Sequence, residues 1–142
     1  MFTLVIMRRR IKMENLKLKL SLLWVARMLV GLQGDVIRYM EPGMLDDIIN
    51  GTLDIPLTED MLAMMAVMMM IPIFMVFLSL ELPYKINRLT NIVIAIFFII
   101  IDGIGFIIAR PLYENILGIG YVVFCILIVW YAWKWTNQDG SS

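Results

Sequence analysis

The sequence lacks histidine altogether and holds a single cysteine, Cys125, among its 142 residues. Without histidine it lacks the commonest general base and the imidazole ligand of most zinc, haem and copper sites. One cysteine excludes an intrachain disulfide and a CxxC redox pair. No P-loop, GxGxxG, HExxH or nucleophile-elbow motif is present either. We therefore expect no enzyme, no catalytic residues, no metal site and no cofactor.

Net charge is also missing, because 12 basic residues balance 12 acidic ones. What the chain has instead is apolar residues, which make up 61% of it and give a mean hydropathy of +0.85. Soluble domains are typically about 45–50% apolar. The composition therefore indicates an integral membrane protein of a few spans, with the lipid bilayer as its main partner.

Four segments are long and apolar enough to cross a bilayer, at about 20–40, 61–82, 89–109 and 116–135. The predicted fold class is all-α, a four-helix transmembrane bundle occupying residues 20–135. Between the first two spans, apolar residues recur at helical spacing from Met44 to Ile49, which predicts a short amphipathic helix on the outer membrane surface, ended by Gly51. Thr58 is the expected cap of the second span.

The leader, residues 1–19, is basic, and six lysines and arginines precede the first span. A nucleic-acid patch is the alternative, but basic residues before a span are normally its cytoplasmic flank, so we expect no nucleic-acid partner. Residues 1–12 are expected to be a disordered extension if translation starts at Met13. The tail, 136–142, is expected to be disordered and cytoplasmic.

The distribution of positive charge predicts the topology. Lys85 and Arg88 lie between spans two and three, while the segment between spans one and two is acidic and has no lysine or arginine. By the positive-inside rule, both termini are cytoplasmic and the protein lies in the cell membrane. Tryptophans at the end of the last span, among them Trp130 and Trp135, are expected to anchor it at the interface.

Ionisable residues inside the spans form the candidate site, which we call the polar seam: Arg27, Asp35, Arg38 and Asp102. On a helix, the three members from span one share one face within about a quarter turn. Arg27 and Asp102 lie about 4–5 Å to either side of the membrane centre, so we predict that Asp102 pairs with Arg27 or Arg38. Arg110 is expected to approach Asp35.

Two interpretations of the polar seam stay open. Buried pairs can simply fix which helix packs on which, or they can line a ligand or ion pathway. The acidic loop lacks the spacing of a calcium loop, and the methionines of span two do not form one face, so neither predicts a metal. Six glycines predict close helix packing: Gly31, Gly34, Gly103, Gly105, Gly118 and Gly120.

The segments LKLSLLW, GDVIRYMEPG, INRLTNI and IVWYAWKW, in this order, resemble an uncharacterised family of small four-span prokaryotic membrane proteins. The resemblance covers roughly residues 13–135, and YAWKW is its most specific piece. More distantly, ARMLVGLQG resembles the first span of DoxX-like four-helix membrane proteins, although Asp35 stands near where a lysine is expected. The resemblance implies the four-span fold and supplies no activity.

Two functional classes follow from these features. The first is a non-enzymatic membrane component, acting alone or as the subunit of an assembly. The second is a small solute or proton transporter that uses the polar seam between spans one and three. Four spans enclose little volume, so a transporter of this size is expected to dimerise, and a homodimer or a membrane-protein partner is expected in either class.

Overall fold

The computed structural model describes residues 2–53, 58–105 and 111–135, and this part of the chain is all-α, as predicted. Four of its helices are long and apolar enough to cross a membrane, and the fifth is a short connecting helix. In chain order the helices are α1 Phe2–Tyr39, α2 Met44–Asn50, α3 Glu59–Glu81, α4 Tyr84–Gly105 and α5 Leu112–Lys134. The disordered tail expected at 136–142 lies outside the described residues.

Helix α1 is longer than the first span, because it includes the basic leader. It runs for 38 residues, whereas a bilayer needs about 20. The helix begins at Phe2, so the leader is helical from residue 2 onward. No proline or glycine precedes Gly31, so nothing in the leader interrupts the helical hydrogen bonds.

The connecting segment folds as the sequence predicts. Helix α2 lies between two glycines with left-handed backbone, Gly43 at φ 89° and Gly51 at φ 67°. A side chain at either position would strain this backbone, which explains why glycines bound so short a helix. The Thr58 hydroxyl accepts a hydrogen bond from the backbone N–H of Met61 at 3.3 Å, which confirms Thr58 as the cap of α3.

Helices α4 and α5 begin earlier than the predicted spans, at Tyr84 instead of residue 89 and at Leu112 instead of residue 116. Each starts directly after a proline, and the Asn87 N–H bonds to the Pro83 carbonyl oxygen at 2.9 Å. Hydropathy missed these turns because they are polar, whereas the backbone bonds of a helix continue past its apolar part. Residues 106–109 of the predicted third span lie outside the described residues.

The long helices alternate in direction, and α1 is central to their packing. It packs against α3 on one side and α5 on the other, while α4 packs against α5 and contacts α3 much less. Hydrogen bonds hold the helix ends in register. Lys17 Nζ donates to the Leu80 carbonyl oxygen at 2.9 Å, and Tyr84 donates its hydroxyl to the Trp135 carbonyl oxygen at 2.7 Å.

This packing defines two ends of the bundle. At the basic end, α3 passes into α4, and the described lysines and arginines there include Lys19, Arg88 and Lys134. At the opposite end, which we call the α2 end, α1 passes into α2. Trp130 and Trp133 are exposed near the basic end, but Trp135 is not an interfacial anchor, because it is buried. Its ring packs edge-on against the Tyr84 ring, with centroids 5.1 Å apart.

Candidate functional site

The centre of the polar seam is an ion pair between α1 and α4. Arg27 Nη2 lies 2.8 Å from Asp102 Oδ2, and the two side chains are 8% and 16% exposed. This confirms the prediction that Asp102 pairs with an arginine of the first span, and it shows that this arginine is Arg27. Each charge offsets the other, so neither has the high free-energy cost of an isolated charge in an apolar interior.

Three further groups hold the Arg27 guanidinium in place. Its Nε donates a hydrogen bond to Cys125 Sγ at 3.2 Å. The Phe98 ring lies against its planar face, with 3.9 Å between Arg27 Cζ and the ring centroid, and the Tyr121 ring lies at 5.3 Å. A guanidinium suits such a place because it donates in its plane and stacks on aromatic faces. Cys125 therefore acts as a buried hydrogen-bond acceptor.

The ion pair crosses the bundle instead of joining neighbouring helices. Helix α1 packs on α3 and α5, and its backbone has little direct contact with α4. The long Arg27 side chain and Asp102 meet between them, and Arg27 also contacts α5 through Cys125. The predicted seam between spans one and three is thus a link through the middle of the bundle.

A small cavity of about 150 Å³ lies above this pair, toward the α2 end. It is lined by three members of the polar seam, Asp35, Arg38 and Asp102, together with the Tyr121 ring. Within the described part of the chain, the side chains of Asp35 and Arg38 form no hydrogen bond or ion pair. The predicted approach of Arg110 to Asp35 lies outside the described residues.

A larger cavity of about 540 Å³ lies beside the first, between α2 and the ends of α1 and α3. Asp35 and Arg38 line both cavities. At their border, Tyr113 donates its hydroxyl to Glu41 Oε2 at 3.2 Å, which ties the start of α5 to the turn after α1. Water and small polar solutes therefore have room near Asp35 and Arg38.

The predicted glycine packing is present between α1 and α5. A Cβ added at Gly31 would lie 3.3 Å from the Tyr121 hydroxyl, and one at Gly34 would lie 3.3 Å from Leu117 Cδ1. Gly120 of α5 similarly faces Val30, at 3.5 Å. These contacts let the two helices approach closely.

The other predicted glycines do not share this role in the described structure. A Cβ at Gly103 would meet no described atom within 4 Å, so the described residues show no close packing there. Gly118 lines the small cavity. Gly105 is the last residue of α4, next to residues outside the described part.

Sequence analysis missed a second buried polar group, which we call the amide cluster: Trp24, Ser79, Asn87 and Asn91. Asn91 Oδ1 accepts hydrogen bonds from Trp24 Nε1 at 2.7 Å and from Ser79 Oγ at 3.1 Å. Asn91 Nδ2 donates to Asn87 Oδ1 at 2.7 Å, and Asn87 Nδ2 donates to the Ser79 carbonyl oxygen at 2.7 Å. All four residues are buried. Two asparagines four residues apart near the start of a span were the available signal.

The chemistry of the site is the holding of charge and hydrogen bonds inside an apolar bundle. Among the described residues, no three carboxylate or thiol side chains are grouped so that they could hold a metal ion. Of the polar seam, Asp35 and Arg38 line both cavities, and Asp102 lines the smaller one. The rest of the site joins helices to one another.

Four apolar helices around a buried ion pair define this chain as an α-helical, multi-pass membrane protein. More particularly, it belongs to the Family of unknown function (DUF6326), which matches residues 8–142. This agrees with the resemblance to an uncharacterised family. The same comparisons find no matching curated protein and no matching solved structure.

Proposed function

We propose that the protein is a non-enzymatic membrane component, alone or as a subunit of an assembly, and that its buried charges hold the bundle together. The observation that carries this proposal is the engagement of Arg27. The residue is 6% exposed, bonds to Asp102 and Cys125, and stacks on Phe98. A residue held by three other helix positions contributes to the scaffold without needing a ligand.

The experiment removes the two charges separately and together. Arg27→Met or Asp102→Leu alone leaves one buried charge uncompensated, which costs about 3–5 kcal/mol in other proteins. The double variant leaves an apolar contact of similar volume, which is often neutral or stabilising. We therefore expect the folded fraction in detergent to fall in each single variant and to recover in the double variant.

The same variants separate a scaffold from a binding site. If the double variant folds and complements a deletion of the gene, the scaffold role stands. If it folds normally but fails to complement the deletion, the pair has a role beyond folding. Single variants that fold as well as the wild-type chain would also contradict the scaffold role.

A second function, transport of a small solute or proton, is favoured by the small cavity. It is lined by Asp35, Arg38 and Asp102, and it extends inward from the α2 end to the ion pair. Toward the basic end, buried Trp24 and Phe98 fill the interior, so transport requires a rearrangement of these rings. Asp35 is the carboxylate of this cavity that we propose to bind the solute or proton.

Flux measurements on proteoliposomes test this second function. A transporter should move protons, detected by a pH-sensitive dye inside the vesicles, or solutes from a panel of small ions. Asp35→Asn should then abolish the flux and leave folding unchanged, while Asp46→Asn, exposed on α2 and outside both cavities, serves as the matched control. Absence of flux in the wild-type protein contradicts transport and leaves the scaffold role in place.

We also propose the cell membrane as the location, with both termini in the cytoplasm. This is supported by the lysines and arginines at the basic end and by the acidic residues of α2 at the other. Lys85→Cys should be labelled by a membrane-impermeant maleimide only after the cells are opened, and Asp47→Cys should be labelled in intact cells. The opposite pattern would reverse the orientation.

Prokaryotic membership and the distant DoxX-like character of the first span remain part of this proposal. Their support is the resemblance of ARMLVGLQG, which contains Arg27 and the close-packed Gly31. Neither supplies a substrate.

A further inference from the structure

One face of α1 carries large apolar side chains that the rest of the described chain does not bury. This face points away from the bundle, opposite Arg27 on the helix. Its members are each about half exposed, between 49% and 61%, and we call them the α1 stripe: Ile11, Leu18, Leu22, Leu29, Leu32 and Val36.

Lipid covers only part of the α1 stripe. The helix has 38 residues, or about 57 Å, while the hydrocarbon core of a bilayer is about 30 Å thick. Among the residues whose exposure the structure describes, Leu20 is the first buried one, and Ile11 lies about 13 Å before it along the helix axis. At this distance Ile11 lies beyond the apolar part of the membrane. A second protein surface alongside α1 would remove Ile11 from water.

The spacing of the α1 stripe identifies that surface as a second helix. Its members are separated by seven, four or three residues, which matches the a and d positions of a heptad repeat. With Leu22 and Leu29 at a, Leu18 and Ile11 fall at d, and exposed Asn15 falls at a. A single asparagine at an a position is a known determinant of register in parallel two-stranded coiled coils.

Charged residues beside the α1 stripe indicate that the second helix is another copy of α1. In the same register, Glu14 takes a g position and Lys19 takes the e position of the next heptad, five residues later. Both are exposed, and Lys19 Nζ also lies 5.5 Å from the centroid of the Tyr131 ring of α5. In a parallel pair, the g residue of one helix faces the following e residue of the other. Two copies related by a two-fold axis therefore form two Glu14 to Lys19 contacts. Copies inserted in the same orientation have parallel α1 helices by necessity.

We propose that the α1 stripe is the interface of a homodimer in which two α1 helices form a parallel, left-handed coiled coil. The coiled coil begins in the basic leader and continues through the membrane. Within the membrane, exposed Gln33 takes an e position at the border of this interface. No described residue forms a hydrogen bond with the Gln33 side-chain amide. The second helix can supply a hydrogen-bond partner there, whereas lipid tails cannot. The charged interior of each protomer faces away from the interface.

Cysteine crosslinking of the full chain in liposomes tests the dimer. Leu22→Cys should form a disulfide with its symmetry mate when a membrane-permeant oxidant is added. Phe74→Cys on α3 is the matched control, because the exposed fractions are 56% for Leu22 and 55% for Phe74. The Lys17 to Leu80 contact places Phe74 at a similar depth. The wild-type chain, whose cysteine is buried, should not crosslink.

We expect a self-crosslinked fraction several-fold higher for Leu22→Cys than for Phe74→Cys. Equal fractions would indicate random collision and overturn the interface. In native membranes, crosslinking of Leu22→Cys to a different protein without self-crosslinking would overturn the homodimer as well.

A charge exchange tests the register independently. Glu14→Lys places two lysines opposite each other at both of the proposed Glu14 to Lys19 contacts. It should therefore raise the dimer dissociation constant roughly fivefold. Fluorescence energy transfer between labelled copies, followed on dilution in lipid, measures this constant. Adding Lys19→Glu restores opposite charges and should return the constant toward the wild-type value. If the double variant dissociates as readily as the single one, the parallel register is wrong.

Discussion

Trp24 Nε1 donates a hydrogen bond to Asn91 Oδ1 at 2.7 Å, and this bond joins α1 to α4 across the apolar interior near the basic end. The same oxygen accepts a bond from Ser79 of α3. Asn91 thus connects three helices through one side chain. Because all three side chains are fully buried, each of these groups would be costly to leave without a partner.

Asn91→Ala is therefore expected to destabilise the protein strongly. The change leaves the Trp24 indole N–H and the Ser79 hydroxyl without their acceptor, at a cost of about 2–3 kcal/mol in the free energy of unfolding. Unfolding of the purified protein by SDS in mixed micelles measures the change. Val93→Ala is the control, since Val93 is exposed on the same helix and its truncation should have little effect. Equal losses in the two variants would contradict the role of Asn91.

Arg27→Lys should not substitute for arginine, although it keeps the positive charge. An ammonium can reach Asp102, but it cannot also donate from Nε to Cys125 or stack its plane on Phe98. We expect a loss of roughly 1–3 kcal/mol in unfolding free energy, smaller than that of Arg27→Met. A lysine variant as stable as the wild-type protein would show that charge alone suffices.

The glycines of α1 and α4 should respond oppositely to substitution. Gly31→Leu places a side chain against the Tyr121 hydroxyl and should force α1 and α5 apart, at a cost of roughly 1–3 kcal/mol. Gly103→Ala places its methyl group more than 4 Å from every other described side chain, so it should be neutral or stabilise the helix by up to about 1 kcal/mol. Thermal unfolding in detergent compares the two variants, and a destabilised Gly103→Ala would indicate a contact at that position.

Tyr84→Phe tests how the end of α5 is fixed. The Tyr84 hydroxyl donates to the Trp135 carbonyl oxygen at 2.7 Å, and the variant keeps the ring contact while losing this bond. We expect a loss of about 1 kcal/mol and faster amide hydrogen exchange in the last turn of α5. Unchanged exchange there would show that ring packing alone fixes the helix end. Tyr39→Phe, on an exposed ring, is the control.

The sequence determined the number of long helices, the short helix bounded by Gly51, the Thr58 cap and the pairing of Asp102 with an arginine of the first span. These properties follow from local patterns, since apolar length, turn residues and a carboxylate at membrane depth are each readable from a short segment. Helix boundaries were less accurate because α4 and α5 begin in polar turns after a proline.

Only the tertiary structure showed which arginine binds Asp102 and that the same arginine donates a second hydrogen bond to Cys125. It also showed that the amide cluster joins three helices. Trp135 likewise became a core residue instead of an interfacial anchor. Each of these outcomes depends on which helices become neighbours and how far apart their axes lie. That arrangement is set by the packing of residues 50 to 100 positions apart in the chain, and no local pattern contains it.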